Sequence, residues 1–374
     1  MTRADDVVGC RIEDLDTPAV LVDLDRLDRN VQEMARFAAQ HAVALRPHCK
    51  THKSPAIARR QLRAGARGIT VAKLDEAEAM LEAGIDDIFV AYEIVGPRKV
   101  ERLLALNRRG RVSSAVDSLA GAAAVSRAAV RAGRSLDVLI EVDCGLGRCG
   151  VEPGRLTVGL AQAVVGLPGL RMTGVFTHAG HVYSATGRGE VQAIGRAEGE
   201  VMVETADQMR RAGLDVAVVS IGSTPTARIG GRVPGVTEIR PGNYVFFDRM
   251  QVALGAATEE DCALTILSTV ISRPMPDRAV IDAGSKVFSS DKGAHGAGGV
   301  EGYGQILGHR AIVGRLSEEH GIVELRGADL PVGDRVRVLP NHACAVVGLA
   351  NRLLGVRGGI VRELFALPSR GGVQ

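Results

Sequence analysis

Two hydrophobic patterns alternate along the chain from Pro18 to about Tyr244. Short β-branched runs are separated by longer stretches in which apolar residues recur every three or four positions, as Leu27, Val31 and Met34 do. Eight or nine such strand–helix units in about 230 residues are typical of a (β/α)8 barrel, and a doubly wound open sheet is the alternative. The runs cover residues 19–22, 43–45, 69–71, 88–90, 112–116, 138–142, 172–177, 216–220 and 237–240.

Beyond Tyr244 the pattern becomes that of a β-rich region. Apolar runs follow one another without helical stretches between them, and residues 293–304 hold a glycine-dense loop. These runs cover residues 264–272, 278–282, 311–316, 322–325, 335–339 and 359–365. We therefore predict a barrel domain over residues 14–253 and a C-terminal β-rich domain over 254–374, with residues 1–13 as a candidate addition to the second.

Composition and charge exclude several classes of function. The 374 residues are 46% hydrophobic and 24% charged, as in globular proteins. The net charge of +3 is spread along the chain and aromatic residues make up only 3%, so a nucleic-acid groove is not expected. No apolar run reaches the roughly 18–20 residues of a membrane helix, and the N-terminus lacks the apolar core of a signal peptide. Six scattered cysteines favour a reducing cytoplasm.

Candidate chemistry is expected at the C-terminal ends of the barrel strands, where barrel enzymes carry their sites. The second run is followed by Arg46-Pro47-His48-Cys49-Lys50-Thr51-His52-Lys53. A lysine crowded by other cations is a better amine nucleophile for a Schiff base, because its ammonium form is disfavoured. A solvated basic loop is the structural alternative.

Three later strand ends carry further polar groups. The seventh run is followed by His178, His181 and Tyr183, which could supply acid–base groups or a stacking ring. The loops Gly222-Ser223-Thr224 and Gly242-Asn243 follow the eighth and ninth runs, and their N–H and hydroxyl groups suit a phosphate. Structural histidines and plain turns are the alternatives.

A glycine motif after the sixth run does not predict a dinucleotide site. Gly145, Gly147 and Gly150 match G-x-G-x-x-G, but a Rossmann fingerprint follows the first strand and opens a helix directly. Here Val151-Glu152-Pro153-Gly154 intervenes before any helical pattern.

The β-rich region contains one candidate metal pair. His342 and Cys344 lie two residues apart, so both side chains point to one face if the segment is extended. An imidazole and a thiolate suit zinc, although two ligands alone are a weak indication.

Together these motifs resemble the D-threonine aldolase and D-serine dehydratase family, across nearly the whole chain. The segments that carry the resemblance are Asp14-Leu15-Asp16-Thr17-Pro18-Ala19, Arg46 to Lys53, Asp143 to Gly150, Gly222 to Thr226, Arg240 to Tyr244, Asp282-Ala283-Gly284-Ser285-Lys286, Glu318-Glu319-His320-Gly321 and Pro340 to Cys344. The resemblance implies a pyridoxal 5'-phosphate enzyme with an alanine-racemase-like barrel and a β domain, acting on small D-amino acids as a homodimer.

The resemblance also implies roles for individual residues. Lys50 resembles the lysine that holds pyridoxal phosphate covalently, and it is expected to act with His178, His181 and Tyr183 in catalysis. The expected cofactor contacts are Lys50, Arg148 at the ring oxygen, His178 stacked on the ring, Tyr183 lining the pocket, and Ser223, Thr224, Gly242 and Asn243 around the phosphate. His342 and Cys344 match the metal pair, which implies a divalent ion, zinc first and manganese or magnesium otherwise.

Departures from the family pattern favour dehydration. Phe176 stands where the family often has tyrosine, so one polar contact to the cofactor is expected to be absent. The seventh loop differs from the aldolase pattern, and the second metal ligand is Cys344 where many aldolases have Asp. The lead hypothesis is therefore dehydration of D-serine or a D-3-hydroxyaspartate-like substrate to a keto acid and ammonia. The alternative is retro-aldol cleavage to glycine and an aldehyde, and a racemase or a non-catalytic pyridoxal-phosphate carrier ranks lower.

Overall fold

The computed structural model describes residues 7–294 and 299–372. Glu33–Gly242 form one compact unit, and the described residues up to Gln32 form the other together with Asn243–Gly371. Residues 295–298 of the predicted glycine-dense loop lie outside the described residues, as do residues 1–6 of the candidate N-terminal addition. Within the described part of the chain, no helix combines the length and apolar content needed to cross a membrane.

Seventeen strands and eleven helices make up the described chain. The strands are β1 Ala19–Asp23, β2 Ala44–Leu45, β3 Ile69–Val71, β4 Asp87–Glu93, β5 Arg111–Val116, β6 Leu136–Glu141, β7 Leu170–Phe176, β8 Val218–Ile221, β9 Glu238–Ile239, β10 Leu264–Met275, β11 Arg278–Ile281, β12 Gly304–Ile306, β13 Ile312–Leu316, β14 Gly321–Glu324, β15 Arg335–Pro340, β16 Arg352–Arg357 and β17 Ile360–Ala366. The helices are α1 Leu24–Gln40, α2 Pro55–Arg63, α3 Leu74–Glu82, α4 Pro97–Asn107, α5 Leu119–Arg131, α6 Arg155–Val165, α7 Arg188–Arg211, α8 Thr224–Gly230, α9 Arg249–Ala253, α10 Ser285–Phe288 and α11 Ala343–Leu349.

The Glu33–Gly242 unit is built on an eight-stranded parallel sheet. Its strand order is β2-β9-β8-β7-β6-β5-β4-β3. A parallel bridge between His48 and Thr70, just past β2 and within β3, joins the two edge strands. The sheet therefore closes on itself, and the predicted barrel of the alanine racemase type is confirmed.

The barrel interior is filled by side chains from alternating strand positions. Phe89, Ala115, Leu139 and Phe176 form one buried cluster from four neighbouring strands. The rings of Phe89 and Phe176 meet edge to face, with centroids 4.9 Å apart. Such aromatic packing stabilises a core beyond simple area burial, so these residues fix the strands that carry the site.

The second unit is a β domain. Its nine strands have the order β11-β14-β13-β12-β15-β10-β1-β16-β17, and β10 also pairs with β11. The extra pairing closes six strands into an antiparallel barrel. Strand β1 lies between β10, to which it is antiparallel, and β16, to which it is parallel.

Two details of the sequence prediction are wrong. The run at residues 19–22, counted among the barrel units, belongs to the sheet of the β domain, because its hydrophobic side chains are buried against β10 and β16. The β-rich region also contains helices, α10 and α11, where none was expected. The predicted boundary between a barrel domain that ends at residue 253 and a β-rich domain that begins at residue 254 stays a prediction.

Several motifs behind the family resemblance have structural partners within the β domain. The Thr17 hydroxyl donates to Asp282 at 2.5 Å, so the N-terminal segment is tied to the end of β11. The Lys286 ammonium lies 2.6 Å from a carboxylate oxygen of Glu319 and 3.1 Å from one of Glu318. These motifs stabilise the domain by hydrogen bonds and ion pairs.

Candidate active site

The predicted Schiff-base lysine lies on a short 3-10 turn just past β2. The turn spans Cys49–Thr51, and the backbone N–H of Lys50 donates to Nδ1 of His48 at 3.3 Å. A Cβ at Gly242 would come within 3.0 Å of both the His48 carbonyl oxygen and the Thr51 hydroxyl. The loop after β9 thus packs directly on the turn that carries Lys50, and a side chain at position 242 would require its neighbours to shift.

The structure distinguishes Lys50 from the other polar residues of its motif. The Lys53 ammonium makes a 2.5 Å ion pair with the buried Glu76. His52 is fully buried, accepts a hydrogen bond from the Ser54 amide and lies 3.2 Å from the Gln61 side chain. Burial lowers the pKa of His52 to about 4, so its ring is neutral. Lys53 and His52 therefore have structural roles.

His48 lies at the centre of the cationic part of the site. Burial and the nearby positive charges of Lys50 and Arg240 lower the pKa of His48 well below its ordinary value. Arg240 follows β9 and is itself buried, and its guanidinium donates to the Ser220 hydroxyl and the Thr177 carbonyl. His178 is a further neighbour of His48, so the structure brings Lys50 and His178 into one cluster.

The loop after β7 contains three of the predicted site residues. His178 is half-buried, and its Nδ1 lies 3.4 Å from the Gly222 carbonyl oxygen. His181 and Tyr183 lie on a 3-10 segment, Gly180–Ser184. The Nδ1 atom of His181 is buried and has no hydrogen-bond partner among the described residues.

The glycine motif after β6 is a folded loop around one carboxylate. Asp143 accepts hydrogen bonds from the amides of Gly145, at 2.9 Å, and Gly147, at 3.1 Å. The next helix, α6, begins only at Arg155. The loop amides are thus directed at Asp143, which agrees with the exclusion of a dinucleotide site. Arg148 extends from this loop, half-exposed, with its guanidinium 3.6 Å from Glu141.

The phosphate candidates form a compact group of small side chains. Ser223 caps α8, and its hydroxyl lies 3.1 Å from that of Thr226. Ser223 and Thr224 are both buried. Gly222 has a φ of +119°, a conformation that favours glycine. The loops after β8 and β9 therefore present backbone and hydroxyl groups at the end of the barrel that carries Lys50.

The predicted metal pair lies in the β domain, but its segment is not extended. Strand β15 ends at Pro340, His342 is the N-cap of α11, and Cys344 lies in the first turn of that helix. The argument from alternating strand positions is therefore wrong here. The two residues still lie together at the N-terminal end of α11.

Asp248 organises the surroundings of this pair. Its Oδ2 accepts hydrogen bonds from the Asn243 side chain at 2.6 Å and from the Ala343 amide at 2.9 Å. Asn243 Nδ2 in turn lies 3.9 Å from the Cys344 sulfur. Asp248 is fully buried, and burial raises the pKa of its carboxyl group. One carboxylate thus orients the backbone between the two candidate ligands.

We expect Asp248→Ala to weaken zinc binding by about 10- to 100-fold, because partners of this kind orient metal ligands. Competition with a fluorescent chelator measures the affinity. Asp277→Ala, which removes an exposed carboxylate of the same domain, is the control and should leave the affinity unchanged. Equal affinities for wild type and Asp248→Ala would contradict this role.

The buried carboxyl group of Glu141 lies next to Arg148. Burial and a hydrogen bond with Glu93 raise the pKa of Glu141 to about 9. Glu93, Asp117 and Cys149 form the one group of three metal-type side chains found among the described residues, with ligand atoms within 4.8 Å of one another. A protonated Glu141 beside Glu93 lowers the net negative charge of this region.

Glu141 is expected to make stability fall as pH rises. Between about pH 5 and pH 9 the carboxyl group is ionised in the unfolded chain and protonated in the folded one, so the folded state holds the extra proton. Glu141→Gln should remove a slope of up to about 1.4 kcal/mol per pH unit from the free energy of unfolding. Urea unfolding at pH 6 and pH 8 measures it. The exposed Glu101→Gln should keep the wild-type slope, and an unchanged slope in Glu141→Gln would refute the assignment.

The donor groups fit the cofactor and metal that the resemblance implies. The barrel supplies a primary amine, Lys50, together with the hydroxyl groups of Ser223 and Thr224, which suit an aldehyde and a phosphate. In the β domain, the buried Oδ1 of Asn243 has no hydrogen-bond partner among the described residues, as expected of a side chain that meets a bound group. Imidazole and thiolate ligands suit zinc.

Comparisons with known proteins identify the family. The family described as "Alanine racemase, N-terminal domain" matches residues 22–250, and "Putative serine dehydratase domain" matches residues 263–356. D-threo-3-hydroxyaspartate dehydratase from Delftia sp. is 40% identical, over 88% of this chain and 91% of its own. D-threonine aldolase from Arthrobacter sp. is 36% identical, over 96% of this chain and 93% of its own.

A solved structure extends the likeness to three dimensions. A cysteine-to-alanine mutant of D-threo-3-hydroxyaspartate dehydratase in the metal-free form superposes with a TM-score of 0.89 at 37% identity, covering 95% of this chain and 98% of that one. The barrel, the β domain and the two family matches define a pyridoxal-phosphate enzyme of the alanine racemase type. This chain belongs to the fold-type III family that contains the D-serine dehydratases and D-threonine aldolases.

Several residues of the site had no role assigned from sequence. They are His48, Glu141, Glu198, Arg240 and Asp248. Glu198 gave a usable signal, because it lies on the face of α7 that Val191, Gly195 and Met202 place in the core. Asp248 gave none, since its partners are brought together only by the fold of the β domain.

Proposed function

We propose that this chain is a pyridoxal-phosphate- and metal-dependent lyase that dehydrates D-3-hydroxy amino acids. D-serine and D-3-hydroxyaspartate-like compounds are the lead substrates. The observation that carries the proposal is the pairing of His342 with Cys344 inside the segment that matches the serine dehydratase domain. The 40% identity to a D-threo-3-hydroxyaspartate dehydratase supports it.

Residues that follow the barrel strands would bind the cofactor and move the proton. Pyridoxal phosphate, when bound, supplies an electron sink for the charge that develops at the substrate Cα. Ser223, Thr224, Gly242 and Asn243 would hold its phosphate, Arg148 would contact its ring oxygen, and His178 and Tyr183 would lie against its ring. Lys50 would hold the cofactor through its side-chain amine, and with that amine free it would take the Cα proton on Nζ.

The His342–Cys344 pair of the β domain is proposed to assist departure of the β-hydroxyl group. His342 and Cys344 would hold a divalent ion, zinc by the chemistry of its ligands and manganese or magnesium as alternatives, and the ion would supply Lewis-acid assistance to the hydroxyl group. Loss of the Cα proton and the β-hydroxyl group removes one water from the substrate. The unsaturated amine that is released then hydrolyses to a keto acid and ammonia.

Retro-aldol cleavage is the second candidate function, favoured by the 36% identity to a D-threonine aldolase over 96% of this chain. In that reaction His181 or Tyr183 takes the proton of the β-hydroxyl group and the Cα–Cβ bond breaks. The products are glycine and an aldehyde. Racemisation and non-catalytic cofactor carriage rank lower, because neither uses the His342–Cys344 pair.

One incubation separates these functions. The purified protein, supplied with pyridoxal phosphate and zinc, is incubated with D-serine, D-threonine or D-threo-3-hydroxyaspartate, and the products are identified by mass spectrometry. A keto acid with ammonia supports dehydration. Glycine with an aldehyde contradicts it and establishes aldol cleavage. The L-enantiomers are the control and should give no product.

The same proposal includes a cytoplasmic homodimer. None of the six cysteines forms a disulfide, as expected in a reducing compartment. Light scattering of the purified protein measures the assembly, and a monomeric mass would contradict the dimer.

A further inference from the structure

Glu198 contacts two loops of the barrel from a helix outside the predicted site. It lies on α7 and only 2% of it is exposed. One oxygen, Oε1, accepts hydrogen bonds from the amide of Ala179 at 3.2 Å and from the amide of Gly222 at 2.9 Å. Ala179 is in the loop after β7, and Gly222 is in the loop after β8. A single buried carboxylate oxygen therefore bridges two neighbouring strand ends.

The two amides flank the residues proposed to bind the cofactor. Ala179 directly follows His178, and Gly222 directly precedes Ser223 and Thr224. The carbonyl of Gly222 also lies 3.4 Å from Nδ1 of His178. A carbonyl oxygen only accepts hydrogen bonds, so this contact selects the ring form of His178 with hydrogen on Nδ1. Glu198 thus holds the backbone at Ala179, next to His178, and the backbone at Gly222, which the His178 ring contacts.

The environment of Glu198 indicates that these contacts are specific. Burying a carboxyl group is costly, and here Oε1 accepts both amides while Oε2 is buried without a hydrogen-bond partner among the described residues. Burial raises the pKa of Glu198, while its hydrogen bonds and the nearby positive charge of Arg240 oppose that shift. An aliphatic side chain would fill the same space on α7 without this cost, so packing alone does not account for a glutamate here.

We propose that Glu198 is a positioning residue that holds the ring of His178 and the Ser223–Thr224 loop in register, so that one bound cofactor meets both. The inference rests on the proposed pyridoxal-phosphate function. In this role Glu198 sets the distance between His178, proposed to stack on the cofactor ring, and Ser223 and Thr224, proposed to hold its phosphate.

Three variants test the proposal through cofactor affinity. The apoprotein is titrated with pyridoxal phosphate, and visible absorbance gives the dissociation constant. Glu198→Ala removes the acceptor and should raise this constant by about tenfold or more, since each tenfold corresponds to about 1.4 kcal/mol. Glu198→Gln keeps an acceptor oxygen of the same reach and should stay within about threefold of wild type.

The control is Met202→Ala on the same helix. Met202 is fully buried, so its truncation should lower thermal stability while it leaves the Glu198 carboxyl group in place. It should therefore bind the cofactor as wild type does. Equal affinity of Glu198→Ala and wild type would overturn the proposal, and so would an equal loss in Glu198→Ala and Met202→Ala. A loss in Glu198→Gln as large as in Glu198→Ala would also overturn it, because charge would then matter instead of the hydrogen bonds.

Failure of the proposed function gives a different result. A wild-type protein that binds no pyridoxal phosphate would refute the function itself. Wild-type binding with unchanged binding by Glu198→Ala would refute only the positioning role.

Discussion

Replacing Lys50 by alanine is expected to abolish both covalent attachment of pyridoxal phosphate and lyase activity. The other lysine of the motif, Lys53, is not expected to take its place, because its ammonium is paired with Glu76 at 2.5 Å. A general base contributes about 10²- to 10⁴-fold to a rate, and loss of the attached cofactor adds to this, so activity should fall by at least about 10³-fold. The visible absorbance of the holoenzyme and its mass after borohydride reduction measure the attachment.

Lys53→Ala is the matched control for this experiment. It removes the same kind of side chain three residues away and breaks the ion pair with Glu76, so it should cost stability and keep the visible absorbance. The reverse result, with absorbance lost in Lys53→Ala and kept in Lys50→Ala, would show that the wrong lysine is assigned.

Replacing His342 or Cys344 by alanine is expected to remove the bound metal and leave the cofactor attached. Keto-acid formation should fall by at least about 100-fold, since even residues that only orient metal ligands are worth about 10- to 100-fold. Metal content by mass spectrometry and visible absorbance of the same sample separate the two effects. Removal of metal from wild type with a chelator should give the same loss, reversed by added zinc.

Cys149→Ala is the control for the thiol. Cys149 belongs to the group with Glu93 and Asp117 in the other compact unit, so its loss should leave the metal of the His342–Cys344 pair in place. Full metal content in Cys344→Ala, together with loss in Cys149→Ala, would move the metal site to that group.

Much of the barrel could be predicted from sequence because its strands are short and buried on both faces. Runs such as residues 112–116 and 138–142 correspond to β5 and β6, and the helical pattern of Leu27, Val31 and Met34 corresponds to α1. Strand β1 could not be placed in this way. Its apolar residues look like those of a barrel strand, and only pairing with β10 and β16, far along the chain, puts it in the β domain.

The candidate site was predictable as far as its residues form local motifs. Lys50, His178 and Ser223 were found because each follows a strand, and strand ends share one edge of a barrel. Asp248 was not, because its link to Ala343 spans 95 positions of sequence. The His342–Cys344 pair was predicted from residue types, which suit a metal. Its extended geometry was wrong because the N-cap of α11 could not be read from spacing.

The position of β1 between β10 and β16 has a consequence for synthesis on the ribosome. Ala19–Asp23 emerges among the first residues, but its parallel neighbour Arg352–Arg357 emerges near the end of translation. The continuous segment Glu33–Gly242 can fold while the rest is being made, whereas the β domain cannot complete its sheet until the last strands leave the tunnel. Through that interval a nascent β1 has an unpaired edge, so a chain truncated before Arg352 should be more prone to aggregation than one truncated after Ala366.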